Sequence, residues 1–446
     1  MSLQQRRIRH KHLRVLAVSS SLKDAWASYL ALASIDPHKK RRDFIPWQYL
    51  HRIVRVIAST RPRVRVHFEC LLQVLSRIHE TGGEVQTWEW NLLIDAAGKG
   101  LRKTTKEQFK DVLSVYDDFL RHRPPGESLR LGTRTRRNVF QSSEDLRKPN
   151  EVMLATVLHL ASRTSDERAY ARGLSLLHAS GLRINRPTYL TLMERHSHKG
   201  NLPGVRAVMA EMQRRDVKLG VEGWTLYMWT LVRLDRIDQA QRVFTVLRGN
   251  QVPQWTNEVR VARAHLEDMD VDIPTDVVPD EVTYIAMIQA YAYYGHFTKA
   301  MKTFLEMVRT FHHPSDNTED NSAIPVESLL PMYRAMFLGF NRHSQLDLPN
   351  LSSLVRHSRA IIRGAEGWSL SACQKLFDDW LRLPHKTKPN AHTCYWILRA
   401  FDTLSGGNPE FLRDVVERLE ARFGLKWRGR LSVFIQSKVN NRLRRN

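Results

Sequence analysis

Cysteine is nearly absent from the chain: Cys70, Cys373 and Cys394 are the three copies in 446 residues, with no CxxC spacing and no partnered histidine pattern. A disulfide framework and a structural zinc site are thereby excluded as sources of stability, and a reducing compartment fits. Long apolar runs are missing as well. Even Leu13 to Val18 is short and flanked by basic residues, far below the roughly 18 to 20 residues that cross a bilayer, so no membrane span is expected. Acidic residues are scarce beside basic ones, 46 against 69. None precedes Asp24 and none follows Glu420. The GxxxxGK[ST], HExxH, GxSxG and GxGxxG motifs do not occur in a setting that would use them, so no enzyme activity, catalytic residue or cofactor is assigned. His196 and His198 near Glu194, the His312-His313 pair, and His392 beside Cys394 are metal-like spacings, but they fall at turns, in loops or on helices where ordinary surface and core roles prevail, and no metal site is expected.

What the chain does have is charge and repetition. A formal net charge of +23 favours polyanionic partners, whether nucleic acid, ribosomal RNA or an anionic membrane. From Val282 to Met307, Tyr284, Met287, Ile288 and Tyr291 form one helical face, Gly295 marks a turn, and Ala300, Phe304 and Met307 form a second face. With Tyr284 as reference, Leu154, Tyr189 and Trp224 take the same slot and are spaced 35 and 35 residues apart. Each helix-turn-helix unit leaves an apolar face that only a neighbouring unit can cover, which predicts stacking.

At these residues the chain resembles the pentatricopeptide-repeat family, in which a repeat of about 35 residues runs VTYNxLI, glycine turn, alanine, phenylalanine, methionine, then proline with aspartate or asparagine. Val282-Thr283-Tyr284, Gly295, Ala300, Phe304, Met307 and Pro279-Asp280 carry the likeness. The tetratricopeptide repeat, with its 34-residue period and W-x2-L-G-x2-Y signature, fits less well. The resemblance implies an all-α fold, a right-handed superhelical solenoid of stacked helix-turn-helix repeats of about 35 residues. Degraded copies open at Trp90 to Asp95, Tyr333 to Phe340 and near His392, and Trp26 to Leu32, Trp47 to Ile57 and Phe68 to Ile78 read as divergent helices, about seven units in all.

The expected organisation is a basic N-terminal arm or transit peptide over 1–23, divergent helical repeats over 24–84, a repeat-like unit over 85–123, and a basic linker over 124–148. Tandem repeats with an insertion at 249–278 follow over 149–310, then degenerate repeats with insertions over 311–425 and a basic tail over 426–446. The linker, broken by Pro124, Pro125 and Gly126, carries Arg134, Arg136 and Arg137 as phosphate-contacting candidates, with a solvated insertion as the bland alternative. Arg428 and Arg430 are the corresponding candidates in the tail, where Trp427 and Phe434 read as anchors of a capping helix.

In this family one base is read per repeat by the side chain after the Tyr slot together with the last residue of the unit. The resemblance pairs Asn91 with Asn150, Ala155 with Asn185, Leu190 with Gly220, Thr225 with Asp280 and Ile285 with Leu329. Asn91 with Asn150 and Thr225 with Asp280 can hydrogen-bond a base edge, whereas Arg334 and Tyr395 suit phosphate contact or stacking. The expected ligand is single-stranded or ribosomal RNA, in the mitochondrial matrix, in transcript stability, processing or translation, with the mitoribosome or an assembly intermediate as a further partner. The alternative is a protein-binding helical scaffold such as a respiratory-complex assembly factor. Charge placement separates the two: basic residues lining the groove favour RNA, and an apolar groove favours protein.

Overall fold

The computed structural model describes residues 3–36, 44–61, 64–99, 103–130, 146–251, 256–311, 326–343, 367–383 and 389–440. Among them every regular element is helical and no strand occurs. The chain divides into unit 1, residues 1–199 with 203–218, and unit 2, residues 200–202 with 219–446. No described helix is long and apolar enough to cross a membrane.

Unit 1 holds α1 (Leu3–Val18), α2 (Leu22–Ile35), α3 (Trp47–Ser59), α4 (Arg65–Glu80), α5 (Thr87–Ala97), α6 (Lys106–Leu120) and the single turn α7 (Glu127–Arg130), followed by α8 (Glu151–Ser162), α9 (Glu167–Ser180) and α10 (Arg186–His198); α11 (Leu202–Arg214) comes next. First helices of successive units pack on one another, α1 on α3, α5 on α8 and α8 on α10, while α2, α4, α6 and α9 pair with their own first helices or the next ones. The stretch read as a basic arm is α1. Its Leu16 is buried, and Arg9 Nε donates to Phe44 O at 2.8 Å.

Unit 2 holds α12 (Gly220–Arg233), α13 (Ile237–Gln251), α14 (Asn257–Glu267), α15 (Glu281–Tyr294), α16 (Phe297–Phe311), α17 (Val326–His343), α18 (Leu370–Arg382), α19 (Ala391–Leu404), α20 (Pro409–Phe423) and α21 (Arg430–Ile435), which runs into a wide π turn at Gln436–Asn440. Here α12 packs on α15, α15 on α17 and α17 on α19. The insertion at 249–278 contains α14, a helix that the sequence pattern did not indicate, and it lies on α13. Its Val259 comes so near Gly249 that a Cβ there would stand 2.7 Å from the valine methyls, so glycine is what lets the two helices approach. Asn250 ties the return of the insertion, donating from Nδ2 to Pro274 O and Val277 O at 2.9 and 2.8 Å.

One local device starts the first helices. Asn150, Asn185, Asp280 and Asn390 each occupy the N-cap and accept from the backbone N–H three residues on, at 2.8, 3.1, 2.8 and 2.9 Å. In three of them that third residue is a buried threonine, Thr188, Thr283 or Thr393, whose hydroxyl donates to the same cap oxygen at 2.7, 2.6 and 3.1 Å. An N–H left unpaired by helix geometry and a buried hydroxyl are thus satisfied by one side chain. In α12 Gly220, with φ +68°, stands in the cap's place. The turn eleven residues after the slot is left-handed in three successive cases, at Gly200, Asp235 and Gly295 (φ +65°, +64° and +84°), a conformation that glycine takes freely and aspartate tolerates.

The slot residues are equivalent. Trp90, Leu154, Tyr189, Trp224, Tyr284 and Cys394 all sit four residues after the cap position, and none is more than 3% exposed. Unit 2's α17 departs from this register: it begins a turn earlier, so Leu329, read from sequence as the last residue of a unit, lies inside the helix and is buried.

Asn185→Ala and Asn390→Ala are each expected to lower the unfolding free energy by about 1 kcal/mol. Urea titrations followed by circular dichroism measure this, and unshifted midpoints would show that the caps contribute nothing.

Candidate nucleic-acid interface

On a helix, positions spaced by four share a face. Starting from the residue after each buried slot, this face carries Asn91, Asp95 and Lys99 on α5 and its C-terminus, Ala155 and His159 on α8, and Leu190, Glu194 and His198 on α10 in unit 1. In unit 2 it carries Thr225, Trp229 and Arg233 on α12, Ile285, Gln289 and Tyr293 on α15, Arg334, Leu338 and Arg342 on α17, and Tyr395, Arg399 and Thr403 on α19. Nearly all of these are half-buried or exposed, in contrast to the slots beside them.

The two units differ electrostatically along this stripe. In unit 1 the charges neutralise one another: Lys99 Nζ lies 3.1 Å from Asp95 Oδ1 and His198 Nε2 lies 3.4 Å from Glu194 Oε1. Burial lowers the His159 pKa, so its imidazole is neutral near pH 7. Among the described residues of unit 2 the stripe carries no acidic residue, although Arg399 on it pairs with the neighbouring Asp402 at 3.3 Å. The unit 2 face opens into a groove of about 1320 Å³, lined by Trp229, Arg233, Tyr293, Arg334, Arg342 and Trp396 among others, with Asp235 as the one carboxylate in the lining. Tyr294, also in the wall, donates from its hydroxyl to Val232 O at 2.6 Å, and burial followed by the Asp235 charge pushes its pKa up to about 12, so it adds no negative charge. Arg342 Cζ stands 3.8 Å from the Tyr293 ring centroid, a close cation–π contact.

The residues chosen from sequence are distributed unevenly over this surface. Asn91 is half-buried, and its Oδ1 has no hydrogen-bond partner. Its proposed partner Asn150 is the N-cap of the neighbouring helix α8, and no hydrogen bond joins the two. Asn185 and Asp280 spend one side-chain oxygen on their caps, which leaves the other heteroatom of each to a ligand. Thr225 is different: it is 6% exposed, its Oγ1 lies 2.9 Å from Val221 O and 2.9 Å from Thr283 Oγ1. Because Thr283 also bonds Asp280 Oδ1, Thr225 and Asp280 are brought together through an internal hydroxyl chain that holds α12 to α15. Ala155, Leu190 and Ile285 offer no hydrogen-bonding side chain. Arg334 is exposed in the groove.

Arg134, Arg136, Arg137 and the side chain of Arg430 lie outside the described residues, and Arg428 is exposed just before α21. Phe434 on α21 packs edge-on against Tyr395, with centroids 5.7 Å apart, and Trp427 Nε1 donates to Glu420 Oε1, so both tail aromatics have anchoring contacts. The sequence argument missed Trp229, Arg233, Tyr293, Arg342 and Trp396. Four of them were legible as the positions four and eight residues beyond the one after the slot, which a code restricted to one position per helix passes over.

Nucleophilic chemistry finds no support at the thiols. All three cysteines are free and buried; burial pushes Cys70 up to about 11 and Cys394 up to about 12, and raises Cys373 as well. Among the described residues no cluster of three or more His, Cys, Asp or Glu could hold a metal.

Residues 282–309 match the family model described as the PPR repeat. No curated protein sequence matches the chain. Among solved structures it is similar to the pentatricopeptide repeat protein PPR10 from maize, at 12% identity and a TM-score of 0.49, over 96% of this chain and 52% of that one. The pentatricopeptide repeat protein PPR10 in complex with an 18-nt psaJ RNA element is similar at 14% identity and a TM-score of 0.39, over 90% of this chain and 55% of that one. The chain thus spans about half the length of these proteins.

Thr225→Val is expected to lower the unfolding free energy by about 1 kcal/mol, since it removes one hydroxyl from a buried pair. A denaturation midpoint equal to that of the unsubstituted protein would show that the hydroxyl is not needed there.

Proposed function

We propose that this chain is a pentatricopeptide-repeat protein that binds single-stranded RNA along the first-helix face, and that it acts in mitochondrial RNA metabolism, in transcript stability, processing or translation. The observation that carries the binding class is the unit 2 groove, where Arg233, Arg334 and Arg342 face a single carboxylate in the lining. That is the placement a polyanion favours, because each neutralised phosphate releases condensed counterions. A protein ligand of the scaffold type would want an apolar groove with the basic residues elsewhere. The net charge of +23 points the same way.

The mitochondrial matrix is part of the proposal, and an association with the mitoribosome is its finer form. What supports the compartment is the acid-free, basic composition of the first 23 residues, together with the family resemblance. Because α1 packs against α2 and α3, cleavage beyond Leu16 would remove a packed helix. Import into isolated mitochondria followed by mass measurement tests both location and cleavage, and failure of the full chain to enter would sink the matrix assignment.

Affinity for a single-stranded RNA is expected to fall linearly with salt on logarithmic axes, with a slope of about −0.7 for each phosphate neutralised. Arg233→Gln combined with Arg334→Gln should make that slope shallower by about one to two. Filter binding across a salt series measures it. A flat salt response, or no binding at low salt, would overturn the RNA reading.

A further inference from the structure

Besides Tyr294, whose hydroxyl is tied to Val232 O, three aromatic residues line the unit 2 groove without belonging to its core: Trp229 on α12, Tyr293 on α15 and Trp396 on α19. Elsewhere in the unit the aromatics of the same helices are spent on packing. Trp224 is 3% exposed, and Tyr227, Tyr284 and Phe401 are buried. By contrast Tyr293 is 52% exposed, and Trp229 and Trp396 are half-buried. Tyr293 meets Tyr294 edge-on, and Trp396 meets Tyr395 and His392 edge-on with its Nε1 donating to His392 Nε2 at 3.3 Å, yet each of the three rings keeps exposed surface that this packing leaves uncovered. Exposed aromatics beside arginines in an open channel are the composition that holds unstacked bases, because every base has a π face and every nucleotide a phosphate.

The groove is poor in the groups that would tell one base from another. Of the residues immediately after the slots in unit 2, the Thr225 hydroxyl is engaged by Val221 O and Thr283, Ile285 has no polar atom, Arg334 is a cation, and Tyr395 is covered by Phe434. Asn341 Oδ1 accepts from Thr403 Oγ1 at 3.0 Å. Gln289 and the Nδ2 of Asn341 remain as amide groups in the lining, enough to weight a position or two and too few for a code.

We propose, resting on the RNA reading above, that unit 2 grips single-stranded RNA by stacking its bases on Trp229, Tyr293 and Trp396, with little regard to base identity. Arg342, 3.8 Å from the Tyr293 centroid, extends that ring into a two-layer platform of arene and guanidinium. Arg233 and Arg334 take the phosphates. Unit 2 then acts as a clamp on the strand, and sequence preference is left to cap residues such as Asn185, whose second heteroatom is not spent on its helix.

The test uses the full chain and fluorescence anisotropy with four 12-nucleotide strands: a mixed sequence, oligo(U), oligo(A), and an abasic ribose-phosphate strand of equal charge. The base-bearing strands should bind within about fivefold of one another and the abasic strand at least about tenfold more weakly. Tyr293→Ala and Trp229→Ala should each weaken the base-bearing strands roughly tenfold, a loss of the size that one stacked base contributes, while leaving the abasic strand and the salt slope unchanged. Tyr293→Phe should bind as the unsubstituted protein does. Tyr293 is an exposed residue, so its variants are expected to keep the circular dichroism spectrum and melting point. Equal binding of abasic and base-bearing strands, or alanine variants without effect, would overturn the stacking proposal and leave RNA binding standing. Absence of binding to every strand would overturn both.

Discussion

A unit of two short helices cannot cover both sides of its first helix, and that shortfall governs everything else in this chain. The first helix is flanked by its own second helix on one side and by the next first helix on another, so the side chain four residues after the cap is enclosed from several directions. Tyr284 shows what the position demands. Its ring meets Phe244 at 5.1 Å and Phe311 at 5.6 Å, both edge-on, and its hydroxyl reaches Glu306 Oε1 at 3.2 Å. Burial, and then the Glu306 charge, push that hydroxyl up to about 12, so it stays protonated and keeps donating. A large ring with a polar tip fills such a site well, because its body is desolvated and its hydroxyl still finds an acceptor.

Once the slot is fixed, helix geometry leaves no freedom about what lies beside it. The next residue and those four and eight further on share one face of the helix. The cap does two jobs with two atoms: one oxygen of Asn185 or Asp280 closes the helix, and the other heteroatom remains for a ligand. Thr225 is the exception. Its hydroxyl is drawn into the contact between α12 and α15 by Thr283, a threonine whose own role is to reinforce the cap. A hydroxyl at this position can therefore serve the stack or the groove, and here the stack has it.

The repeat, its slot residues and its turns were legible in the sequence because they recur: period, apolar face and left-handed turn are local signals, and Trp224 and Tyr189 in the place of Tyr284 repeat them. What the sequence did not disclose lacks a second copy to compare with. The helix α14 is one of these: Val259 settles close over Gly249, a contact that only the folded chain brings together. The early start of α17 is another, and it moved Leu329 from a supposed groove position to the core. The groove residues were hidden for a different reason. Trp229, Tyr293 and Trp396 look like core aromatics in a one-dimensional reading, and only their place on the helix circumference distinguishes them from Trp224 and Tyr284.

The contrast between the stripes bears on what each unit's own surface can offer a polyanion. A surface whose charges are already paired, as Asp95 with Lys99 are, contributes little to attracting a polyanion, because a phosphate must compete with the carboxylate in place. A surface with arginines and rings and almost no acid attracts any strand. Strength and selectivity are therefore not expected from the same residues. The arginine-rich groove supplies attraction that is indifferent to sequence, whereas an amide such as that of Asn185 can only discriminate among strands that something else has already brought near.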